Sequence, residues 1–396
     1  MFRDDALLGI RVLDLSRVLA GPFTGMLMAD MGADVIKLEI PGHGDDSRQF
    51  PPFKCEEYMY YVNLNRGKKS ITVNLKTEEG KEILRELVKK SDVLLENFRP
   101  GTMDRLGLGY EELKNINPRL VYAAISGFGQ TGPYRFRPGY DIIGQAMGGL
   151  LSITGWPGGP PTRSGTAIGD ILSSLFCAIG IFAALKIRDQ TGLGQMVDVA
   201  LVDSVFAALE NIPQAYYVEG HVPERIGNRY EFVYPYDTFE TLDGWVVIGI
   251  ANDNLWTRFL EATGLDINDI RFRSNLLRVK NHTSLKDKIE GWSKGKTKDE
   301  IVNSLTNAGI PCCPIYNIKE ASEDYHISVA REMVVEIEQP GLGTIKVQGN
   351  PVKMSMTAPE PRGPAPSLGG DTYRVLNNLL GISKSEFKGL RERGVI

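Results

Sequence analysis

The feature that most narrows what this chain can fold into is the alternation of strand-like and helix-like segments from residue 1 to residue 130. Ile10–Leu15 reads as a strand, Gly21-Pro22 opens a helix over Phe23–Met31, and Ala33–Glu39 returns as a second strand. Proline suits that opening, because a first-turn N–H has no intrahelical partner to lose. Ser70–Leu75 is a further strand, and Thr77 is placed to cap a helix over Glu78–Lys90. Asp92–Glu96 and Arg119–Ser126 follow as buried strands. Strands separated by helices run parallel and are covered on both faces. The expected class is therefore α/β, with a parallel sheet in the first domain.

Beyond Tyr140 the pattern turns mostly helical, with one apolar helix introduced by Asp170 and another over Val199–Tyr217. After the turn-rich stretch Val222–Pro235, a hairpin is expected over Asp237–Ile250, turning at Asp243-Gly244. Helices then follow over Asn252–Thr263, Ser284–Trp292 and Lys298–Ala308, the last with a capping box from Thr297 and Glu300. These segments assign residues 225–325 to a smaller α+β domain. Residues 1–220 form the large domain, which the tail, 330–396, completes. In that tail two short strands flank Gly341-Leu342-Gly343, a proline-rich connector spans Pro359–Pro366, and Ser383 with Glu386 caps the second of two final helices.

Composition removes several function classes. Lys and Arg number 45 against 49 Asp and Glu, a formal net charge of −4, so no global basic field points to nucleic acid. The 43 glycines follow no short period, which excludes collagen and suits an α/β enzyme with many tight turns. Cys55, Cys177, Cys312 and Cys313 lack a paired Cys-x-x-Cys spacing, and the four histidines lie far apart. Neither a metal site nor a disulfide framework is expected. Met1–Asp5 has no secretory-leader character, and the apolar stretch Ile171–Ile187 falls short of the ~20 residues that cross a bilayer. The expectation is a cytoplasmic protein without a membrane span.

Four motifs carry possible chemistry. Gly127-Phe128-Gly129-Gln130-Thr131-Gly132 follows a strand and matches G-x-G-x-x-G literally. A nicotinamide site would need a helix to open at once and an acid about 20 residues further on. Pro133-Tyr134-Arg135 follows instead, and position 152 is serine; the loop could still admit another nucleotide-bearing ligand. Asn65-Arg66-Gly67-Lys68-Lys69 precedes a strand, and Asn97-Phe98-Arg99-Pro100-Gly101 follows one. Such basic loops are either solvated turns or clamps on phosphate oxygens, and two on one edge favour an anionic ligand. Asp170, after Gly169 and before an apolar helix, is either that helix's N-cap or a nucleophile whose anion the helix dipole favours. Tyr140, taken alone, reads as a packed aromatic and His43 as a turn residue.

Leu19-Ala20-Gly21-Pro22, the run from Gly32 to Glu39, Glu96-Asn97-Phe98-Arg99-Pro100-Gly101, the run from Ser126 to Pro133 and the Gly169-Asp170 step together resemble the family III CoA-transferases. The ending from Leu379 to Ile396 looks like that family's final helix, so the resemblance covers essentially the whole chain. It implies an interlocked homodimer in which each chain gives a Rossmann-like large domain and a small α+β domain. CoA would lie along the large domain. Asp170 would be the catalytic aspartate, forming in turn an aspartyl acyl anhydride and an aspartyl-CoA thioester, with Tyr140 lining the site. CoA contacts are implied for Leu19, Ala20, Arg66, Lys68, Lys69, Asn97, Arg99, Arg105, Gly127 and Gly129. The substrates would be an acyl-CoA and a carboxylic acid, with no cofactor beyond CoA itself, no metal, and no nucleic-acid or membrane partner.

Two alternatives share the scaffold. The related α-methylacyl-CoA racemases use a histidine at the position Tyr140 fills, and tyrosine removes the base that racemisation needs. A racemase or isomerase would need His43 or another histidine to substitute. A non-catalytic CoA-binding protein would leave Asp170 as a helix cap. Within the family, formyl-CoA:oxalate members carry a glycine run where this chain has Gly227-Asn228-Arg229-Tyr230-Glu231-Phe232-Val233. They have a glutamine where Leu19 stands and an arginine where Ile40 stands. These departures make oxalate an unexpected acceptor and point to a larger or less charged carboxylate.

Overall fold

Six short strands, β1 (Arg11–Asp14), β2 (Asp34–Glu39), β3 (Lys69–Thr72), β4 (Val93–Glu96), β5 (Val121–Ser126) and β6 (Met196–Ala200), form one sheet. All pair in parallel, in the order β3-β2-β1-β4-β5-β6. The protein is described by a computed structural model over residues 5–55, 57–266 and 269–396; Met1–Asp4, on which the expectation about a leader largely rests, lie outside the described residues. β4 and β5 are buried at every position, because helices cover both faces of the sheet. One face packs Leu13, Ile36 and Leu94 against Leu84 and Leu87 of a helix over Glu78–Val88 and against Leu376 near the C-terminus. The other packs Val12, Val93 and Val121 against α1 (Ala20–Asp30) and a later apolar helix. The strand order reverses between β1 and β4. In open sheets of this kind the crevice outside the carboxyl ends at the reversal is where ligands bind.

The helices that matter to that crevice are α1, α2 (Asp141–Met147), α3 (Ile168–Thr191) and α4 (Leu201–Ala207). Three sequence expectations change. α1 starts at Ala20, three residues before the expected Phe23, with Pro22 still inside the first turn. The helix expected over Val199–Tyr217 is instead the end of the edge strand β6, then α4, then a separate helix over Ile212–Glu219. α3 runs 24 residues rather than Ile171–Ile187, and is long and apolar enough to cross a membrane by length and composition. Its inner side, Cys177, Ile181, Ala184 and Leu185, packs on the sheet.

The chain divides into two units: Met1–Leu150 with Arg163–Pro213 and Asp324–Ile396, and Leu151–Thr162 with Gln214–Glu323. In the second unit, strands β7 (Tyr236–Thr241), β8 (Gly244–Gly249) and β9 (Cys312–Pro314) pair antiparallel. Gly244 pairs with Thr241, so the hairpin turns at Leu242-Asp243, one residue earlier than expected. Phe239, Val246, Phe259, Ile289 and Leu305 form its core, and the Thr297–Glu300 capping box is complete. The tail belongs to the first unit. Glu360 N–H donates to the Asp30 carbonyl, Gly67 N–H to the Pro364 carbonyl, and Ser70 N–H to Asp371.

Candidate active site

A cavity of about 440 Å³ lies at the reversal point, bordered by the loops that follow β1 and β4, by Tyr140 and by Asp170. Asp170 is the third residue of α3; the N-cap position belongs to Ala167, which makes no side-chain cap. The capping alternative therefore fails, and the carboxylate has no hydrogen-bond partner among the described residues. Its position in the first turn favours the anion, yet burial, and after it the Asp141 carboxylate, push its pKa up to about 7. Asp141 supports α3 from outside: it accepts the Gly169 N–H at 2.8 Å and a Gln145 side-chain N–H at 2.7 Å. A carboxylate poised near neutrality, adjacent to a solvent-open space, suits a nucleophile.

Tyr140 is 78% exposed and stands at the N-cap of α2, so it is not a packed aromatic. Its placement depends on two glycines. A Cβ on Gly127 would lie 2.8 Å from the Gly139 Cα, so the turn before Tyr140 lies directly on the loop after β5. That loop is not a dinucleotide site: the Gln130 N–H donates to Asp198 at 2.9 Å, leaving a fixed carboxylate where a phosphate would need an open amide.

The loops after β1 and β4 are tied together. Asn97 accepts the Arg17 N–H and donates to the Arg17 carbonyl, both at 2.8 Å. The Arg17 guanidinium lies over the Phe98 ring at 5.1 Å. Arg99 donates to the Phe136 carbonyl, pinning the segment that leads to Tyr140. α1 and α3 meet here too: the Ser174 hydroxyl lies 2.6 Å from the Ala20 carbonyl and 2.7 Å from the Asp170 carbonyl. A second cavity of about 630 Å³, sharing Arg17, Phe98 and Thr102 with the first, extends over Leu38, Leu75 and Leu106 to Lys76 and Arg105. Neither Lys76 nor Arg105 has an ion-pair partner among the described residues. Arrayed along this edge, the two spaces offer an unpartnered carboxylate at one end and cations without an ion-pair partner at the other.

Of the residues singled out in the sequence, Leu19, Ala20, Asn97, Arg99, Gly127, Tyr140 and Asp170 border the first cavity, and Arg105 the second. Gly129 borders neither. The clamp expected from Arg66, Lys68 and Lys69 is corrected. Arg66 and Lys68 are buried, paired with Asp30 at 3.1 Å and Asp14 at 2.8 Å, and Lys69 bonds Asp34 at the start of β3. A loop before a parallel strand opens at the amino edge, whereas one after a strand opens at the ligand edge; the two basic loops do not share an edge. Ile40 borders only the second cavity, so its difference from arginine does not shape the space beside Asp170. His43 lines neither cavity and bonds Asp46 at 3.1 Å. No histidine borders the Asp170 cavity. Among the described residues no group of three His, Cys, Asp or Glu side chains is disposed to hold a metal ion.

Sequence reasoning missed Arg17, Lys76, Arg137 and Tyr60. The first two follow sheet strands by a few residues, a signal that position alone could have given. Tyr60 has no such signal: its phenol is pushed up to about 12 by burial first and then by the Asp170 charge, which marks it as a neighbour of the site.

Comparison with known proteins identifies the family. The chain matches CoA-transferase family III over residues 7–372. It is 40% identical over 391 residues to a succinyl-CoA–D-citramalate CoA-transferase of Chloroflexus aurantiacus, covering 98% of this chain and 97% of the relative. It is 42% identical over 364 residues to an acetyl-CoA:oxalate CoA-transferase of Acetobacter aceti, covering 91% and 92%. A CaiB/BaiF family protein from Brucella suis has the same fold, with a TM-score of 0.83 at 37% identity, over 95% of this chain and 99% of that one. The protein is a CoA-transferase belonging to family III.

Proposed function

We propose that this protein moves CoA from an acyl-CoA thioester to a free carboxylic acid through covalent intermediates on Asp170. The observation that carries the reading is the Asp170 carboxylate: it makes no cap, has no partner, and opens beside Tyr140 at the ligand edge of the sheet. One of its oxygens attacks the thioester carbonyl carbon, the C–S bond breaks, and CoA leaves as a thiolate from an aspartyl acyl anhydride. The thiolate attacks the aspartyl carbonyl, which releases the donor acid and leaves an aspartyl-CoA thioester. An acceptor carboxylate attacks that carbonyl, forming a second anhydride and freeing the thiolate again. Attack of the thiolate on the acceptor's acyl carbonyl yields the new acyl-CoA and restores the carboxylate.

Each attack places negative charge on a carbonyl oxygen. The amides of Leu19 and Ala20, at the start of α1, have no acceptor among the described residues and border the same space. Helix-start amides of this kind are suited to an oxyanion. We assign the thioester end of the substrate to the first cavity and its nucleotide end to the second, where Lys76 and Arg105 are free for phosphate oxygens. The absence of a cavity histidine weighs against racemisation. A homodimer fits the exposed apolar face formed by Leu175, Phe176 and Ile179 of α3 with Ile142 and Met147 of α2.

The test is intact-protein mass after incubation with succinyl-CoA and acetyl-CoA, the donors named for the relatives, on wild type beside Asp170→Asn. A CoA-sized adduct on wild type alone, removed by hydroxylamine, supports the aspartyl thioester. Binding of both thioesters without an adduct would overturn the covalent route.

A further inference from the structure

The turn that brings Leu19 and Ala20 to the cavity passes through a conformation its sequence does not favour. Val18 sits at φ 66°, the left-handed region in which a β-branched side chain crowds its own backbone. Four side chains hold the backbone around it. Asp14 accepts the Ser16 N–H at 3.0 Å and Lys37 donates to the Ser16 carbonyl at 2.8 Å. Asn97 takes both the N–H and the carbonyl of Arg17. Asp45 accepts the Val18 N–H with its two oxygens, at 3.1 and 3.3 Å.

Asp45 is itself firmly set. It pairs with Lys37 at 2.8 Å, both side chains fully buried, and accepts the N–H and hydroxyl of Ser47 at 2.8 and 2.7 Å. Strain of the kind at Val18 persists only where the surroundings over-determine it, and it gathers at functional sites. One residue later Leu19 stands at the N-cap of α1, and Ala20 opens the helix. A Cβ on Gly21 would lie 2.1 Å from the Ser16 Cβ, so the turn is also closed sterically.

We propose that Asp45 is a positioning residue for CoA transfer: by gripping the Val18 N–H it holds the turn after β1 in the strained form that aims the Leu19 and Ala20 amides at the reacting carbonyl oxygen. Asp45 does not border the Asp170 cavity; it stands in the wall of the second cavity with its side chain fully buried, so it reaches the reacting centre through the backbone it grips. The inference deepens the covalent-transfer reading and rests on it.

The experiment compares wild type, Asp45→Asn and Asp45→Asn combined with Val18→Gly. Asparagine removes one carboxylate oxygen and the charge that answers Lys37. The expected result is a fall in kcat of about 10- to 100-fold with the KM for the acyl-CoA donor changed less than about twofold. Glycine adopts φ 66° without cost, so the double variant recovers most of the lost kcat. Amide hydrogen exchange over residues 16–21 rises in Asp45→Asn and falls back in the double variant. If an unanswered Lys37 prevents folding, Lys37→Met with Asp45→Asn leaves no lone buried charge, and Lys37→Met with Asp45 intact is its control, because Lys37 also holds the Ser16 carbonyl. An unchanged kcat in Asp45→Asn, or a loss that Val18→Gly fails to repair in a folded protein, would overturn the proposal. A wild type with neither turnover nor adduct would retire the covalent-transfer reading instead; the exchange measurement needs no turnover and still decides whether Asp45 holds the turn.

Discussion

At the scale of single residues, the proposed chemistry turns on how the fold balances one carboxylate. In the proposed transfer Asp170 attacks as the anion, yet burial and Asp141 raise its pKa from 3.8 to about 7. kcat/KM is therefore expected to climb as the pH passes through about 7 and to level off above it, which a pH profile with a saturable acyl-CoA donor checks. The same shift costs stability. A carboxyl whose folded pKa lies above its unfolded value adds stability below the unfolded value and loses it as the pH rises through the folded one. Asp170→Asn should thus be more stable than wild type at pH 8, by up to about 4 kcal/mol, and nearly equal to it at pH 4. Urea titration at the two pH values distinguishes these. Along the second cavity, Lys76→Ala and Arg105→Ala should each raise the KM for the CoA thioester about tenfold while leaving kcat within a factor of about two, since each removes one charge-assisted contact.

At the scale of elements, the site depends on close approaches and on charges hidden beneath loops. Gly127→Ala would put a methyl group 2.8 Å from the Gly139 Cα and displace the turn that carries Tyr140. A loss of kcat/KM of about 10- to 100-fold is expected, with little change in Tm, because the loop can move outward without opening the core. Arg66 belongs to a different class. Its guanidinium answers Asp30 in the interior, with Asp30 Oδ1 and Arg66 Nε left unpaired. Arg66→Ala should cost about 3 kcal/mol of stability, because it strands a buried carboxylate. It should leave the KM for CoA unchanged in the folded protein, an outcome that denaturation and steady-state kinetics read separately.

At the scale of the whole molecule, the exposed apolar side chains of α2 and α3 are where the proposed homodimer would meet. Phe176→Asp with Ile179→Lys should convert a dimer into a monomer in light scattering, whereas a monomeric wild type would remove the homodimer from consideration. The alternation of strands and helices, the capping boxes at Thr297 and Ser383, and the Gly169-Asp170 step before an apolar helix were legible in the sequence, because period, cap chemistry and helix starts are set by neighbours along the chain. The edge strand β6 was not: five residues without a clear alternation of burial, running straight into a helix, carry a weak local signal. The placement of the basic loops was not legible either. Whether Arg66 and Lys68 face a ligand or Asp30 and Asp14 depends on which end of the sheet each loop reaches and on carboxylates 36 and 54 residues away in sequence. So the sequence by itself determined the class of fold and singled out Asp170 as the candidate nucleophile. Tertiary structure alone decided its pKa, the neighbours Tyr60 and Arg17, and the strained turn at Val18, because burial and charge pairing arise only when distant segments pack together.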